Sequence, residues 1–367
     1  MKRFCETIKI GGRGQDAVFV GKGFPVAVQT MWKDKLVAAD LEGESGRGLV
    51  ARIERLSRMG CGLLRFAAPD LEAAQVLGRL AETVSMPLVA DIHFDYRIAL
   101  RALDFPIAKI RINPGNIGER ANVEKVLEKA GAKGVPIRIG VNAGSLPRDL
   151  RFKMATGEID CAEALVQAAE RELAVFEAFR FFNALVSVKA SVIADTIKAN
   201  RLLKRRTDVP LHVGVTEAGP LVAGTVRNAA ALFTLLSEGV GDTARVSLSD
   251  TVENEVIAAR EIINAVAEGQ GLKPTGVTVI SCPRCGRAGF DTHSFTQRWL
   301  TRFYTERKTV TIAVMGCAVN GPGEARHADL GITGAGDKAV LFRRGEIVKT
   351  IAVSDADAAF AEELEKL

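Results

Sequence analysis

Three of the six cysteines fall late in the chain, near glycine, proline and acidic residues. Cys282-Pro-Arg-Cys285 is a C-x-x-C pair, a spacing shared by zinc ribbons, redox pairs and iron–sulfur sites. Cys317 follows in MGCAVNGPGEA, and no cysteine comes after it. A structural zinc site normally closes with four ligands, so His293 or His327 would have to complete a Cys3His set. The other reading is a cluster held by three thiolates and one carboxylate. Glu324 lies seven residues after Cys317, beyond Asn320-Gly321-Pro322-Gly323, a stretch able to turn the chain back. A carboxylate holds iron less tightly than thiolate and would leave one iron exchangeable. Read without its neighbours, Glu324 is a solvated loop residue. Cys5, Cys61 and Cys161 stand alone and read as small buried hydrophobes.

A second set of reactive side chains recurs where apolar runs end. In order these are Arg65; Asp91 and His93; Arg111 and Asn113; Arg138 and Asn142; Lys189; Thr216 and Glu217; Arg245 and Ser247. Each alone has an ordinary structural explanation, as a salt-bridging arginine, a rim histidine or a turn asparagine. Together they are harder to explain. Four arginines, a lysine and a histidine in one partly buried mouth repel one another unless carboxylates or a polyanion lie between them. Asp91 and Glu217 are too few to neutralise the set. A diphosphate fits, because guanidinium forks match phosphate oxygens. A lysine ending the sixth strand of a barrel also suits a Schiff-base aldolase or lyase. That alternative, with a structural zinc module, leaves the cysteine–glutamate spacing unexplained.

The elements that must carry these groups are short β-type runs alternating with longer helical stretches. The strand candidates are PVAVQ (25–29), GLLRF (62–66), PLVADI (87–92), AKIRI (108–112), PIRIGV (136–141), ALVSVKA (184–190), PLHVGV (210–215) and ARVSLS (244–249). Their near-continuous apolar character suits parallel strands covered on both faces. Segments such as EALVQAAERELAVFEAF and ENEVIAAREIINAVAEG have helical spacing. The expected fold is α/β: a (β/α)8 TIM-type barrel over residues 1–272, followed by a C-terminal α+β module over 273–367. A doubly wound sheet would need a glycine-rich loop after its first strand, and QTMWKDKL is not one. In the C-terminal part VTVIS, TVTIAVMG, ADLGITG and AVLFRRGEIVKTIAV read as strands, with one helical stretch around 294–306.

The chain's 367 residues, 47% of them hydrophobic, supply a large core. A net charge of +5 suits a small anion but is too dispersed for nucleic acid. No apolar run is long enough to span a bilayer, and MKRFCETIKIGGRG lacks a signal-peptide core, so a cytoplasmic protein is expected. No flavin or nicotinamide fingerprint is present, so electrons for redox chemistry would come from a separate carrier.

ISCPRCGR and MGCAVNGPGEARHADLGITG, together with VQTM, ADIHFDYRIAL, KIRINPGNIG, RIGVNAGSL, VSVKAS, VGVTEAG and RVSLSD, resemble the 4-hydroxy-3-methylbut-2-enyl diphosphate synthase family of non-mevalonate isoprenoid biosynthesis. The resemblance covers both halves of the chain. It implies an iron–sulfur oxidoreductase with a [4Fe–4S] cluster on Cys282, Cys285, Cys317 and Glu324. It also implies a barrel binding 2-C-methyl-D-erythritol 2,4-cyclodiphosphate through Arg65, His93, Arg111, Arg138, Lys189, Arg245 and Ser247. Asn142 is expected near the substrate hydroxyls and Glu217 as the acid/base. Flavodoxin or ferredoxin is the implied electron donor. The implied assembly is a homodimer in which one subunit's cluster module closes the other's barrel. One departure stands out: after VQTM, where the family usually has a Thr- and Asp-rich stretch, this chain reads WKDKLVAADLEGESGRG.

Overall fold

The structure, a computed structural model, describes residues 4–11, 14–113, 115, 117–317, 321, 323 and 325–367. Its strands are β1 (Thr7–Ile10), β2 (Val18–Gly21), β3 (Ala27–Met31), β4 (Cys61–Ala67), β5 (Leu88–Asp91), β6 (Lys109–Ile112), β7 (Ile137–Asn142), β8 (Ala184–Lys189), β9 (His212–Val213) and β10 (Thr243–Ala244). These are followed by β11 (Val277–Ser281), β12 (Val310–Met315), β13 (Leu330–Ala335), β14 (Lys338–Arg343) and β15 (Glu346–Ala352). The helices are α1 (Gly43–Arg58), α2 (Leu71–Ala81), α3 (Tyr96–Ala102), α4 (Arg120–Lys133), α5 (Arg148–Ala155), α6 (Cys161–Ala178), α7 (Ile193–Arg206), α8 (Leu221–Ser237), α9 (Val252–Gly269), α10 (Thr292–Thr305) and α11 (Ala356–Glu365). Chain contacts divide the molecule into Met1–Gln270 and Gly271–Leu367.

In the first unit, β3 to β10 form one parallel sheet, each strand beside the next, with β10 returning to β3. A bridge between Val186 and Leu211, and a hydrogen bond from Val186 N to Pro210 O at 3.1 Å, join β8 to the β9 run and close the ring. This is the expected (β/α)8 barrel. Every residue of β5, β6 and β8 is buried, as strands sandwiched between a filled interior and an outer helix layer must be. Helices start at side-chain caps: Asp70, Asp160 and Thr251 accept backbone N–H bonds at the heads of α2, α6 and α9.

The sequence reading overlooked an antiparallel hairpin, β1–β2, ahead of the barrel. Ile8, Ile10 and Val20, at most 1% exposed, pack on Leu63, Val89, Ala108 and Leu185 near the starts of their strands. The hairpin therefore plugs the N-terminal end of the barrel. Burying each such side chain contributes about 1.5–3 kcal/mol, so this end is built for stability and leaves the opposite end for chemistry.

The second unit is a sheet in the order β11-β12-β13-β14-β15, parallel across the first three strands and antiparallel across the last three. The long run AVLFRRGEIVKTIAV is a hairpin, turned at Arg344 and Gly345, both with positive φ. Side chains alternate between two faces. One face carries Ile312, Val314, Leu330, Ile332 and Leu341 under Phe295, Trp299 and Phe303 of α10 and Phe360 of α11. The other carries Ala313, Met315 and Phe342 beneath Ala325 and Ala328. The module thus has a second helix, α11, where the sequence reading expected only one. Trp299 Nε1 donates to Asp357 Oδ1 at 2.5 Å and pins α10 to α11.

Candidate active site

At the C-terminal end of the barrel, Arg65, Asp91, His93, Arg111, Arg138, Asn142, Lys189, Thr216, Arg245 and Ser247 line one cavity of about 190 Å3. All eight residues expected to bind substrate are among them. They converge because strand register carries them there: Arg111 pairs with both Asp91 and Arg138, and Asn142 with Lys189. Two glycines make room. A Cβ on Gly140 would lie 2.4 Å from Arg111 Nε, and one on Gly214 would lie 2.9 Å from Lys189 Nζ and 2.2 Å from Arg245 O. Side chains at these positions would displace the cations they cradle.

Five cationic side chains face a single carboxylate in this lining. Arg111 Nη1 donates to Asp91 Oδ1 at 3.1 Å and lies 2.9 Å from His93 Nε2, and Arg65 Nε stands 3.6 Å from Asp91 Oδ2. Burial opposes ionisation of Asp91, but Arg65, the His93 hydrogen bond and Arg111 together hold its carboxyl far below the usual range. The other charges are less well compensated. Arg138 is 2% exposed, donates to Ser187 Oγ at 2.5 Å, and leaves Nε and Nη2 without a partner. Arg65 Nε and Arg111 Nε also lack a hydrogen-bond partner. Burial, followed by the field of the other cations, pushes Arg138 and Lys189 well below their ordinary values. For Arg65, burial is the leading cause of a fall to about 10. Guanidinium N–H groups left orphaned in a cationic cavity are donors awaiting acceptors of the kind phosphate oxygens are.

Beneath the cavity two further basic side chains are buried. Lys109, fully buried, donates to Gln29 Oε1 at 2.8 Å, and His212 Nδ1 lies 2.8 Å from Thr243 Oγ1 with Nε2 unpaired.

Glu217 is not part of the lining. It follows Thr216 on the rim, exposed, with φ +52, a left-handed conformation uncommon for a non-glycine residue. The carboxylate that joins Asp91 in offsetting the cations is instead Glu255 on α9, which forks onto Arg245 with Arg245 Nη2 3.1 Å from Oε1 and Nε 3.2 Å from Oε2. Of the lone cysteines, Cys61 is buried, its thiol pushed up to about 12 by burial, but Cys161 is only half-buried and Cys5 is exposed.

In the C-terminal unit, Cys282 follows β11 directly and Cys317 comes two residues after β12. The two strands are parallel neighbours, so both cysteines stand at the same sheet end. Cys282 N donates to Val314 O at 3.0 Å. The segment carrying Cys285 turns at Arg284, φ +72, and folds back so that Gly289 N donates to Gly316 O at 2.8 Å. Gly316 lies against Cys282: a Cβ there would come 3.8 Å from Cys282 Sγ. Glu324 lies outside the described residues, but Ala325, next to it, packs in the same apolar cluster as Cys282. All three thiols are free, and none is fully buried. This soft donor set fits an iron–sulfur cluster. Among the described residues, no three His, Cys, Asp or Glu side chains are drawn together into a ready metal site, and His293 and His327 are both exposed. The Schiff-base alternative, with its structural zinc module, gains no support, since Lys189 is one of five cations around an anion-sized cavity.

Residues 7–260 match the GcpE TIM-barrel domain and residues 278–366 the GcpE protein C-terminal domain. A 4-hydroxy-3-methylbut-2-en-1-yl diphosphate synthase (flavodoxin) of Treponema pallidum is 48% identical over 99% of this chain and 92% of its own length. The same-named protein of Treponema denticola is 47% identical over 98% of both chains. That of Thermodesulfovibrio yellowstonii is 40% identical over 100% of this chain and 99% of its own. With both of its units matched in order and a barrel mouth built for an anion, the chain belongs to the GcpE family.

Proposed function

We propose that the chain catalyses reductive ring opening and dehydration of 2-C-methyl-D-erythritol 2,4-cyclodiphosphate to 4-hydroxy-3-methylbut-2-enyl diphosphate. The observation that carries this reading is the barrel cavity in which five cations surround one carboxylate, in a chain whose relatives bear the synthase name. In the overall reaction two electrons and one net proton enter, a carbon–oxygen bond to the diphosphate breaks, and one hydroxyl leaves as water.

Arg65, Arg111, Arg138, Lys189 and Arg245 bind the diphosphate, and Ser247 and His93 add hydrogen bonds. As the ring opens, the leaving phosphate gains negative charge, and donors already fixed around it stabilise that charge without reorganising. Asn142, at the end of β7, orients the hydroxyl-bearing carbons. Glu217, one residue beyond Thr216, delivers the proton from its carboxyl at the rim. Cys282, Cys285, Cys317 and Glu324 hold a [4Fe–4S] cluster, which when bound supplies single electrons and a Lewis-acidic iron. Flavodoxin, named in the relatives' titles, is the proposed donor, with ferredoxin as the substitute. The working form is proposed to be a cytoplasmic homodimer in which each barrel is closed by the partner's cluster module. Among the described residues no helix is long and apolar enough to cross a membrane.

The test is metal analysis of anaerobically purified protein. Brown protein containing iron and acid-labile sulfide, with both lost in Cys317→Ser while inorganic pyrophosphate still binds, is the expected result. Colourless protein with one zinc per chain would contradict the reading.

A further inference from the structure

Glu255 is 1% exposed and lies outside the cavity lining, yet both of its carboxylate oxygens are fully engaged. Oε2 accepts from Thr30 Oγ1 at 2.6 Å and from Arg245 Nε at 3.2 Å. Oε1 accepts from Arg245 Nη2 at 3.1 Å, from Leu248 N at 3.0 Å and from Lys33 Nζ. Lys33 also donates to Leu248 O at 2.9 Å. One side chain on α9 thus ties together the end of β3, the segment after it and the chain leaving β10.

The fork leaves a single nitrogen of Arg245, Nη1, without an oxygen partner among the described residues, its recorded contact being Met31 Sδ at 3.7 Å. A guanidinium held at two nitrogens by a buried carboxylate has lost its freedom to swing, and its third nitrogen can act only where the fork points it.

We propose that Glu255 is the positioning residue of the anion site. It fixes Arg245 for a phosphate oxygen and, through Lys33, straps to that site the segment after β3 in which this chain departs from its family's usual pattern. The proposal rests on the diphosphate reading of the cavity. A purely structural hub would support α9 and the barrel but would not act on ligand binding through Arg245.

The experiment is calorimetric titration of the anaerobically purified full chain with inorganic pyrophosphate, in a double-mutant cycle. Glu255→Gln keeps the side chain's shape but replaces one acceptor oxygen with an NH2 donor against Arg245 and removes the charge, and is expected to weaken binding about tenfold. Lys33→Met, on a partly exposed side chain, removes one donor from Glu255 Oε1 and loosens the hold of the fork on Arg245; it is expected to weaken binding about threefold. In an Arg245→Met background both effects should vanish. Equal losses with and without Arg245, or unchanged binding in both variants, would overturn the proposal. Wild-type protein that fails to bind pyrophosphate overturns this proposal and the anion-site reading together. Wild-type protein that binds, shows the coupling and turns over no cyclic diphosphate contradicts only the proposed reaction.

Discussion

Arg111 Nη1 donates to Asp91 Oδ1 at 3.1 Å across the paired strands β5 and β6, both side chains nearly buried. Asp91 also faces Arg65 and His93, so one carboxylate organises three potential phosphate ligands. Asp91→Asn would leave two buried guanidinium groups uncompensated, a loss expected to cost about 3–5 kcal/mol. A bound polyanion would replace the missing charge. Thermal unfolding should therefore show the variant well below wild type without ligand and a larger stabilisation by pyrophosphate in the variant than in wild type. Equal stabilisation of the two proteins would show that Asp91 is not electrostatically coupled to the bound anion.

Anion binding is expected to draw protons into the barrel. Lys189 makes no ion pair among the described residues, and its ammonium is disfavoured first by burial, then by Arg138, Arg245 and Arg65, with Glu255 opposing them. His212, beneath it, is held neutral by burial and by Lys189. A folded-state value depressed below the free value means the empty site binds fewer protons than a free lysine would. A phosphate chain reverses the field and raises that value again, so affinity rises as pH falls. Titrations in two buffers of different ionisation enthalpy should show net proton uptake, after correction for the ligand's own ionisation. Lys189→Met should remove that uptake. Persistence of the full uptake in the variant would assign it elsewhere.

How much of this was legible beforehand depended on where each residue sits. The strand-end cations were legible because barrel strands are apolar runs with few places for an arginine, and their ends share one mouth. Glu255 was not. VENEVIAAREI reads as an amphipathic helix whose glutamates face water, and nothing local shows that one of them lies beneath Arg245. TIKI and VFVG are too short to stand out as strands until their apolar side chains are seen filling the barrel's lower end. Glu217 follows a strand, the usual place for a barrel's reactive groups, but it is exposed and has a positive φ that the sequence does not announce. The cysteine spacing set Cys282 and Cys317 apart from the lone cysteines, and parallel β11 and β12 bring the two to one sheet end.

A second cavity beside the mouth is lined in part by Asn113, Ser145, Arg148, Arg151 and Glu172. Burial pushes Glu172 up to about 7 despite a hydrogen bond from the Gly115 backbone. A carboxyl raised in the folded state contributes stability that is fully present below its unfolded value and is lost as pH rises through about 7. Glu172→Gln should therefore be more stable than wild type at pH 8, by about 2 kcal/mol, with the gap closing as pH falls toward 5. Denaturant melts at the two pH values check this. A gap that widens toward pH 5 would reverse the assigned sign.

The most direct test of the whole account is anaerobic turnover of 2-C-methyl-D-erythritol 2,4-cyclodiphosphate with a chemical reductant, followed by phosphorus NMR. The account predicts that the two phosphorus signals of the cyclic substrate are replaced by those of a linear diphosphate ester. It also predicts that Arg138→Met and Cys282→Ser each reduce the rate by at least about a hundredfold. Iron-replete wild-type protein that leaves the cyclic diphosphate intact under these conditions would contradict it.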